Sequence, residues 1–311
     1  MRELRVTLET VTPLFLGGAD QKPELRPPSM RGQLRYWLRA TLGNVIGDQK
    51  LDALKAAESE VFGNTKGAGA VAVRVVQKNL PHEKINPLPH KDSPTRFDGF
   101  LAQQKFDVIL TQHHGAQVAW LATVGALLLM VSFGGLGRRS RRGWGTMRIL
   151  RVQPQKAELK ENWLQLLQMR PDSPEAWQVY LSQAYKASLS ASRSLCRTLN
   201  LSSQAAQRPT AFPILGTQLL GWLGTTVYPQ PQDAVKAFGE REHKFGITKA
   251  FGSADKPRWA SPLWVRVFPV KQPKPGYVLS MALLESQSEV ANYEHLREFI
   301  KEWSDLKEVL M

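Results

Sequence analysis

An α+β fold is predicted from three observations. Apolar residues alternate with polar ones over segments of strand length, two helical segments interrupt those strands in the order β-α-β-β-α-β, and motifs of the first half recur in the second. That element order is the split βαβ, ferredoxin-like (RRM-like) arrangement, in which two helices cover one face of an antiparallel sheet and leave the other free. At 311 residues and 42% hydrophobic content the chain is long enough for two such modules, each with its own core.

The elements follow in order. Residues 4–12, "LRVTLETVT", alternate through Leu4, Val6, Leu8 and, less cleanly, Val11, as a half-buried strand does. Pro13, Gly17 and Gly18 end it. Ser29 is the expected cap of a helix ending at Gly43, with Leu34, Trp37, Leu38, Thr41 and Leu42 as its core face. A second helical segment covers 50–63, and strands are expected at 70–77 and 105–112 on either side of a Pro-rich stretch, 80–95. Val118 to Phe133 is a continuous apolar run, too short for the roughly 20 residues that cross a bilayer, so 118–132 reads as a buried helix. A strand at 146–152 closes the module.

"RPPSMRGQLRYWL" (26–38) is echoed by "RPTAFPILGTQLLGWL" (208–223), which aligns Gln33 and Trp37 with Gln218 and Trp222. Phe62-Gly63 before Val73-Arg74-Val75 is echoed by Phe251-Gly252 before Val265-Arg266-Val267. These echoes divide the chain into a module at 1–152, a helical connector at 153–205 broken by Pro171 and Pro174, and a diverged second module at 206–311. After a strand at 277–284 the second copy is expected to end in an acidic amphipathic helix, 288–310, without a closing strand.

Charge points to the partner. With 41 Lys+Arg against 27 Asp+Glu the net charge is +14, which favours a polyanion. Residues 138–151 hold six arginines and no acid, whereas residues 285–311 hold seven acids and three bases. Cys196 is alone, so a disulfide framework is excluded, and no Cys/His group has zinc spacing. No metal and no cofactor are expected. A reducing, cytoplasmic setting fits, and the strand-like start "MRELRVTLET" does not read as a secretory signal.

Two features carry the binding argument. In "FGGLGRRSRRGWG", Gly134, Gly135, Gly137, Gly143 and Gly145 surround Arg138, Arg139, Arg141 and Arg142. Backbone N–H groups exposed by glycine and guanidinium forks can clamp a phosphodiester chain, while Trp144 offers a surface for a base. Walker-type nucleotide binding is excluded, because no Lys-Ser or Lys-Thr stands at the required offset. A dinucleotide loop should follow a strand and open a helix, which is the reverse of the order here. The second feature is Arg31, Arg35 and Arg39, spaced four residues apart along one helix edge. A solvated face is the ordinary reading of such a row, but like charges at that spacing repel by tenths of a kcal/mol per pair, which makes the row more plausible where an anion neutralises it.

With these residues the sequence resembles the RAMP proteins of CRISPR type III effectors, which are built of ferredoxin-like RNA-recognition modules with a glycine-rich loop after the last helix. "TPLFLGGAD" (12–20) with "LRPPSMRGQLRYWLRA" (25–40) is similar, more narrowly, to the two-module RAMP subunit at one end of the type III-B Cmr complex. The resemblance covers residues 1–150 closely and thins beyond, where Phe251-Gly252 and "WVRVF" remain. It implies a non-catalytic subunit near the 3′ end of the guide RNA that captures target RNA with other RAMP subunits, in antiviral defence. The residues it implies for RNA binding are the five glycines and the arginines of the loop, with Arg31, Arg35 and Arg39.

Two alternatives stand beside this expectation. A metal-independent, guide-RNA-processing endoribonuclease would need a general acid and base, for which His113-His114 is the pair on offer. Neighbours on an extended chain point to opposite faces, so exposed loop histidines are expected instead. Asp92, Asp98 and Asp107 are too scattered for a metal-assisted nuclease, and Asp20 alone makes no site beyond fixing Lys22 or Arg26. The other alternative is a protein-docking subunit in which the acidic tail and second module hold neighbours while RNA is secondary.

Overall fold

The computed structural model of the protein describes every residue except 19, 21, 78, 156–158, 202, 204–209, 211, 216–219, 247, 253–258, 285, 287–292 and 310–311. The first half runs β1 (Arg2–Thr10), α1 (Pro27–Ile46), α2 (Leu51–Phe62), β2 (Val71–Val76), β3 (His82–Ile85), β4 (Phe97–Phe100), β5 (Lys105–Gln112), α3 (Gln117–Phe133) and β6 (Met147–Gln155). Strands β2, β5, β1 and β6 form one antiparallel sheet in that order. The alternation in β1 sends Leu4, Val6 and Leu8 into the core beneath the helices. The Pro-rich stretch, for which no strand was expected, contains β3, which pairs with β4 as a separate two-stranded ribbon.

Two boundaries differ from expectation. Helix α1 starts at Pro27, with Arg26 as its cap, so Ser29 lies inside the first turn. Proline has no N–H to satisfy and a φ already suited to a helix, and two in succession start the helix without a side-chain cap. The helix also passes through Gly43 to Ile46 and stops at Gly47, whose φ is 89°. Gly43 instead lies beneath Phe212 and Ile214, where Leu215 N–H donates to Ala40 O at 3.0 Å.

The second half contains α4 (Glu161–Gln168), α5 (Pro174–Thr198), β7 (Leu220–Gly224), α6 (Pro231–Phe245), β8 (Leu263–Val270), β9 (Gly276–Leu283), α7 (Tyr293–Lys301) and β10 (Leu306–Glu308). Its sheet has the order β10-β7-β9-β8. Both four-stranded sheets therefore share one connection pattern, with helix between first and second strands and between third and fourth. The closing strand not expected in the second copy is present as β10, paired with β7. The acidic helix is confined to α7 among the described residues, and residues 288–292 of the expected helix lie outside them.

The echo of 26–38 in 208–223 does not survive as expected. Trp222 lies on strand β7, not on a helix, and Gln218 lies outside the described residues. Gly221 and Gly224 flank Trp222-Leu223, and each would weaken a helix by about 1 kcal/mol relative to alanine. The other echo does mark equivalent places: Gly63 and Gly252 both have positive φ and both precede the second strand of their sheet.

Helix α3 is apolar on every side because the first sheet lies against one face and α5 against another. Ser188 Oγ on α5 donates to Gly125 O at 3.0 Å across that crossing. The second sheet is buried on both faces. Trp264, Phe268, Val278 and Ala282 join the core of α1, α3 and α5, with Trp177 stacked on Phe268 at 4.1 Å. Val265, Val267, Leu279 and Met281 join the core of α6 and α7.

Arg266 fastens the two halves. Its side chain is 1% exposed and crosses from β8 to the C-terminal end of α3, where its guanidinium donates to Val131 O, Gly134 O and, at 2.8 Å, Met147 O. Carbonyls at a buried helix end have neither water nor a next turn as donor, and their partial negative charge favours a cation. Burial drags the Arg266 pKa down to about 9, still above neutral pH, so the donor remains charged. Arg266→Met keeps the apolar stem and strands three carbonyls; stability should fall by roughly 3 kcal/mol or more, read as a lower urea midpoint.

Candidate nucleic-acid interface

The loop 133–145 leaves α3 and returns to β6 by lacing itself to the segment after β1. Arg138 N–H donates to Phe15 O at 2.7 Å, Gly145 N–H to Pro13 O at 2.9 Å, and Leu136 N–H to Gly145 O at 3.1 Å. This path requires glycine at two points. Gly137 and Gly145 have φ of 82° and 61°, and a Cβ on either would collide with a backbone carbonyl, of Phe15 or of Leu136. Gly134, Gly135, Gly143 and Gly145 are buried. The N–H groups of Gly134 and Gly145 are spent inside the protein, on Met130 O and Pro13 O, contrary to the expectation that these glycines expose them to phosphate.

The arginines divide. Arg138 is exposed, with its guanidinium 5.6 Å from the Phe97 ring. Arg139 is half-buried in the left-handed region at φ 59°, and burial with the nearby Arg142 lowers its pKa to about 10. Arg141 and Arg142 form a 3-10 turn, Ser140–Arg142, that docks on β8 and α6. Arg141 donates to Ser261 O and lies 4.6 Å from the Trp264 ring. Arg142 donates to Phe251 O and pairs with Glu242 at 3.1 Å; burial lowers its pKa while Glu242 opposes the shift. Trp144 is 1% exposed, packs against Phe15 at 5.0 Å and donates Nε1–H to Pro87 O at 3.2 Å. Its placement corrects the expectation of a base-stacking surface. The second sheet and α6 cover this side of the loop, so cations expected to face a ligand line an internal joint.

The anion expected beside the arginine row is present, and the protein supplies it. Glu58 on α2 pairs with Arg35 at 3.2 Å and Arg39 at 3.4 Å. Arg35 also donates to the carbonyls of Phe62 and Gly63 at the end of α2. Arg31 and Arg39 remain exposed. Beside them lies an open groove of about 1030 Å³ whose lining includes Arg31, Arg35, Lys55, Lys66, Thr65 and His113. Lys55 and Lys66 were missed as site residues, and His113 was weighed only as half of a catalytic pair. The glycine cluster around a cation in "FGNTKGAG" (62–69) was the available signal, weaker than the arginine-dense loop.

His113 lines this groove and His114 does not appear in its lining, which separates the adjacent pair. Asp20 accepts from Lys22 N–H at 3.1 Å and meets its ammonium at 3.7 Å, the plain turn role. Among the described residues no three His, Cys, Asp or Glu side chains gather as a metal site, and no helix is long and apolar enough to cross a membrane. The open face of the first sheet carries Arg5 paired with Asp107 at 2.8 Å, Arg148 with Glu9 at 2.6 Å, and Arg74 with Glu3 at 3.9 Å. No aromatic side chain of β1, β2, β5 or β6 faces that side, so bases have no stacking platform of the RRM kind there.

Comparison with known proteins places the first half. Residues 7–148 match the family model of the RAMP superfamily. The chain is similar to the CRISPR system Cmr subunit Cmr1-1 of Pyrococcus furiosus, 31% identical over 173 residues, 51% of this chain and 50% of that protein. The match thus spans about half the length of that relative. Subunit Cmr1-2 of the same organism is 28% identical over 182 residues, 48% of this chain and 96% of that protein. The fold likeness continues past the residues that the family model matches. The crystal structure of Cmr1 from Pyrococcus furiosus aligns over 99% of both chains with a TM-score of 0.69 at 19% identity. A chain of the type III-B Cmr-beta complex bound to cognate target RNA aligns over 97% of this chain and 99% of its own, with a TM-score of 0.68 at 11% identity.

Arg142→Glu should lower stability by about 3 kcal/mol through an uncompensated buried charge, with partial recovery in Arg142→Glu/Glu242→Arg. Arg138→Glu should leave the melting temperature unchanged. Thermal unfolding of the three variants measures both outcomes.

Proposed function

We propose that the protein is a non-catalytic, RNA-binding subunit of a cytoplasmic CRISPR type III-B effector, holding guide or target RNA near the guide's 3′ end together with other RAMP subunits. The carrying observation is the open groove at α1, α2 and the 62–69 turn, where Arg31, Lys55 and Lys66 face solvent around a concave surface. Guanidinium and ammonium groups there can follow a phosphodiester backbone without reading bases. Of the loop arginines, Arg138 contributes from the exposed side. Arg39 contributes beside the groove, whereas Arg35 positions the turn through its bonds to Phe62 and Gly63. Arg141, Arg142, Trp144 and the buried glycines act by shaping the scaffold.

The scaffold is read as tandem ferredoxin-like modules, 1–152 and 206–311, with residues 153–205 as the layer between them. Support comes from the shared strand order of the two sheets. The relatives named as Cmr subunits and the RNA-bound complex that shares the fold supply the assembly class.

The test is RNA affinity. Arg31→Ala/Lys55→Ala/Lys66→Ala should bind single-stranded RNA more weakly, with a log K against log salt slope shallower by about 2, at about 0.7 per phosphate. Unchanged affinity in the folded variant would remove the groove from the interface. Incubation of the purified protein with labelled repeat RNA in EDTA should give no cut; cleavage abolished in His113→Ala would replace this reading with the endoribonuclease one.

A further inference from the structure

Helix α5 carries a cationic stripe that no part of the groove uses. Successive residues turn by about 100°, which brings Gln183, Lys186, Ser190, Arg193 and Arg197 to one side of the helix. All five are exposed. The opposite side, with Tyr185, Leu189, Ser192 and Cys196, is buried against α1 and α3. Ser192 Oγ bonds Thr41 Oγ1 at 2.7 Å, so the orientation of the helix is determined by packing. From Lys186 to Arg197 the stripe is about 16 Å long at about 1.5 Å per residue.

The surroundings of this stripe are unusual in charge. Residues 176–232 contain no Asp or Glu, although at the chain's density of 27 acids in 311 residues about five would be expected. Among the described residues, none of the three cations meets a carboxylate. The row at Arg31, Arg35 and Arg39 has Glu58 to neutralise it; this one has no carboxylate among the described residues. Helix stabilisation accounts for part of it, since Arg197 lies in the last turn, where a cation favours the helix dipole. That effect fades within a turn and leaves Lys186 and Arg193 unexplained.

We infer that the outer face of α5 is a second nucleic-acid contact, which holds the phosphates of a single-stranded ribonucleotide segment through Lys186, Arg193 and Arg197, with Ser190 and Gln183 as supplementary donors. A span of about 16 Å matches about five nucleotides stacked at about 3.4 Å each. Hydroxyl and amide side chains between cations are the usual complement for phosphate and sugar oxygens. A protein partner is less well suited. Protein interfaces have a core depleted in charge and enriched in aromatic residues, and from Gln183 to Arg197 this stripe exposes no large apolar side chain. The inference takes only the identity of the polymer from the proposed function; the residues are separate from the groove.

The experiment uses the full chain, a fluorescein-labelled single-stranded RNA 20-mer, and anisotropy titrations from 50 to 300 mM salt. Lys186→Ala/Arg193→Ala/Arg197→Ala should bind at least about tenfold more weakly at physiological salt, with a slope shallower by about 2, at about 0.7 per phosphate. The melting temperature should be retained, because the three side chains lie in solvent; Lys186→Gln/Arg193→Gln/Arg197→Gln supplies the same charge change should the alanine variant not fold. Unchanged affinity and slope in a folded variant would overturn the assignment. So would loss of an acidic protein partner on substitution while RNA affinity is retained. The groove variant, titrated in parallel, separates the two claims: a loss there with none at α5 rejects the stripe alone, and the converse rejects the groove alone.

Discussion

The architecture depends on a cation placed where an apolar helix ends inside the protein. Helix α3 is enclosed between the first sheet and α5, so water cannot reach the carbonyls of its last turn. Arg266 from the second sheet supplies the donors. A side chain from one half thereby completes the backbone hydrogen bonding of the other, and their cores interlock: Trp264 and Phe268 enter the core of α1, α3 and α5, while Phe15 and Trp144 enter that of α6 and α7. A buried guanidinium with no carboxylate partner is tolerable because two carbonyls at the C-terminal end of α3 and one at the start of β6 act together as its counter-charge.

That joint redirects the functional argument. Arg141 and Arg142 resemble a phosphate clamp in sequence, but they contact Ser261, Phe251, Glu242 and two aromatic clusters across the interface. What the proposed reading leaves for a ligand is exposed cationic surface: Arg31, Lys55 and Lys66 in the groove beside α1 and α2, and the exposed row on α5. The open face of the first sheet, the natural platform of an RNA-recognition module, carries ion pairs and no aromatic side chain on which a base could stack. On the proposed reading, an RNA chain on this scaffold would be held by backbone charge rather than by base contacts.

Much of this was legible in the residues. Period-two alternation identified β1, β2 and β5, the apolar run identified α3, and the β-α-β-β-α-β order appears in the first sheet. The β3–β4 ribbon was hidden by prolines that mark turns, and β10 by its length of three residues. The echo between 26–38 and 208–223 misled because shared Trp-Leu spacing says nothing about helix or strand when glycines intervene.

The sequence by itself determined the strand and helix periodicities of the first half, the excess of positive charge and the family resemblance, because each is a local pattern or a sum over residues. Tertiary structure alone decided which cations are free. Arg142 and Arg138 are four residues apart and chemically alike, yet one is paired with Glu242 across 100 residues of chain and the other faces solvent. Ion pairing depends on distance in space, and for residues brought together by the packing of two modules that distance is absent from any local window.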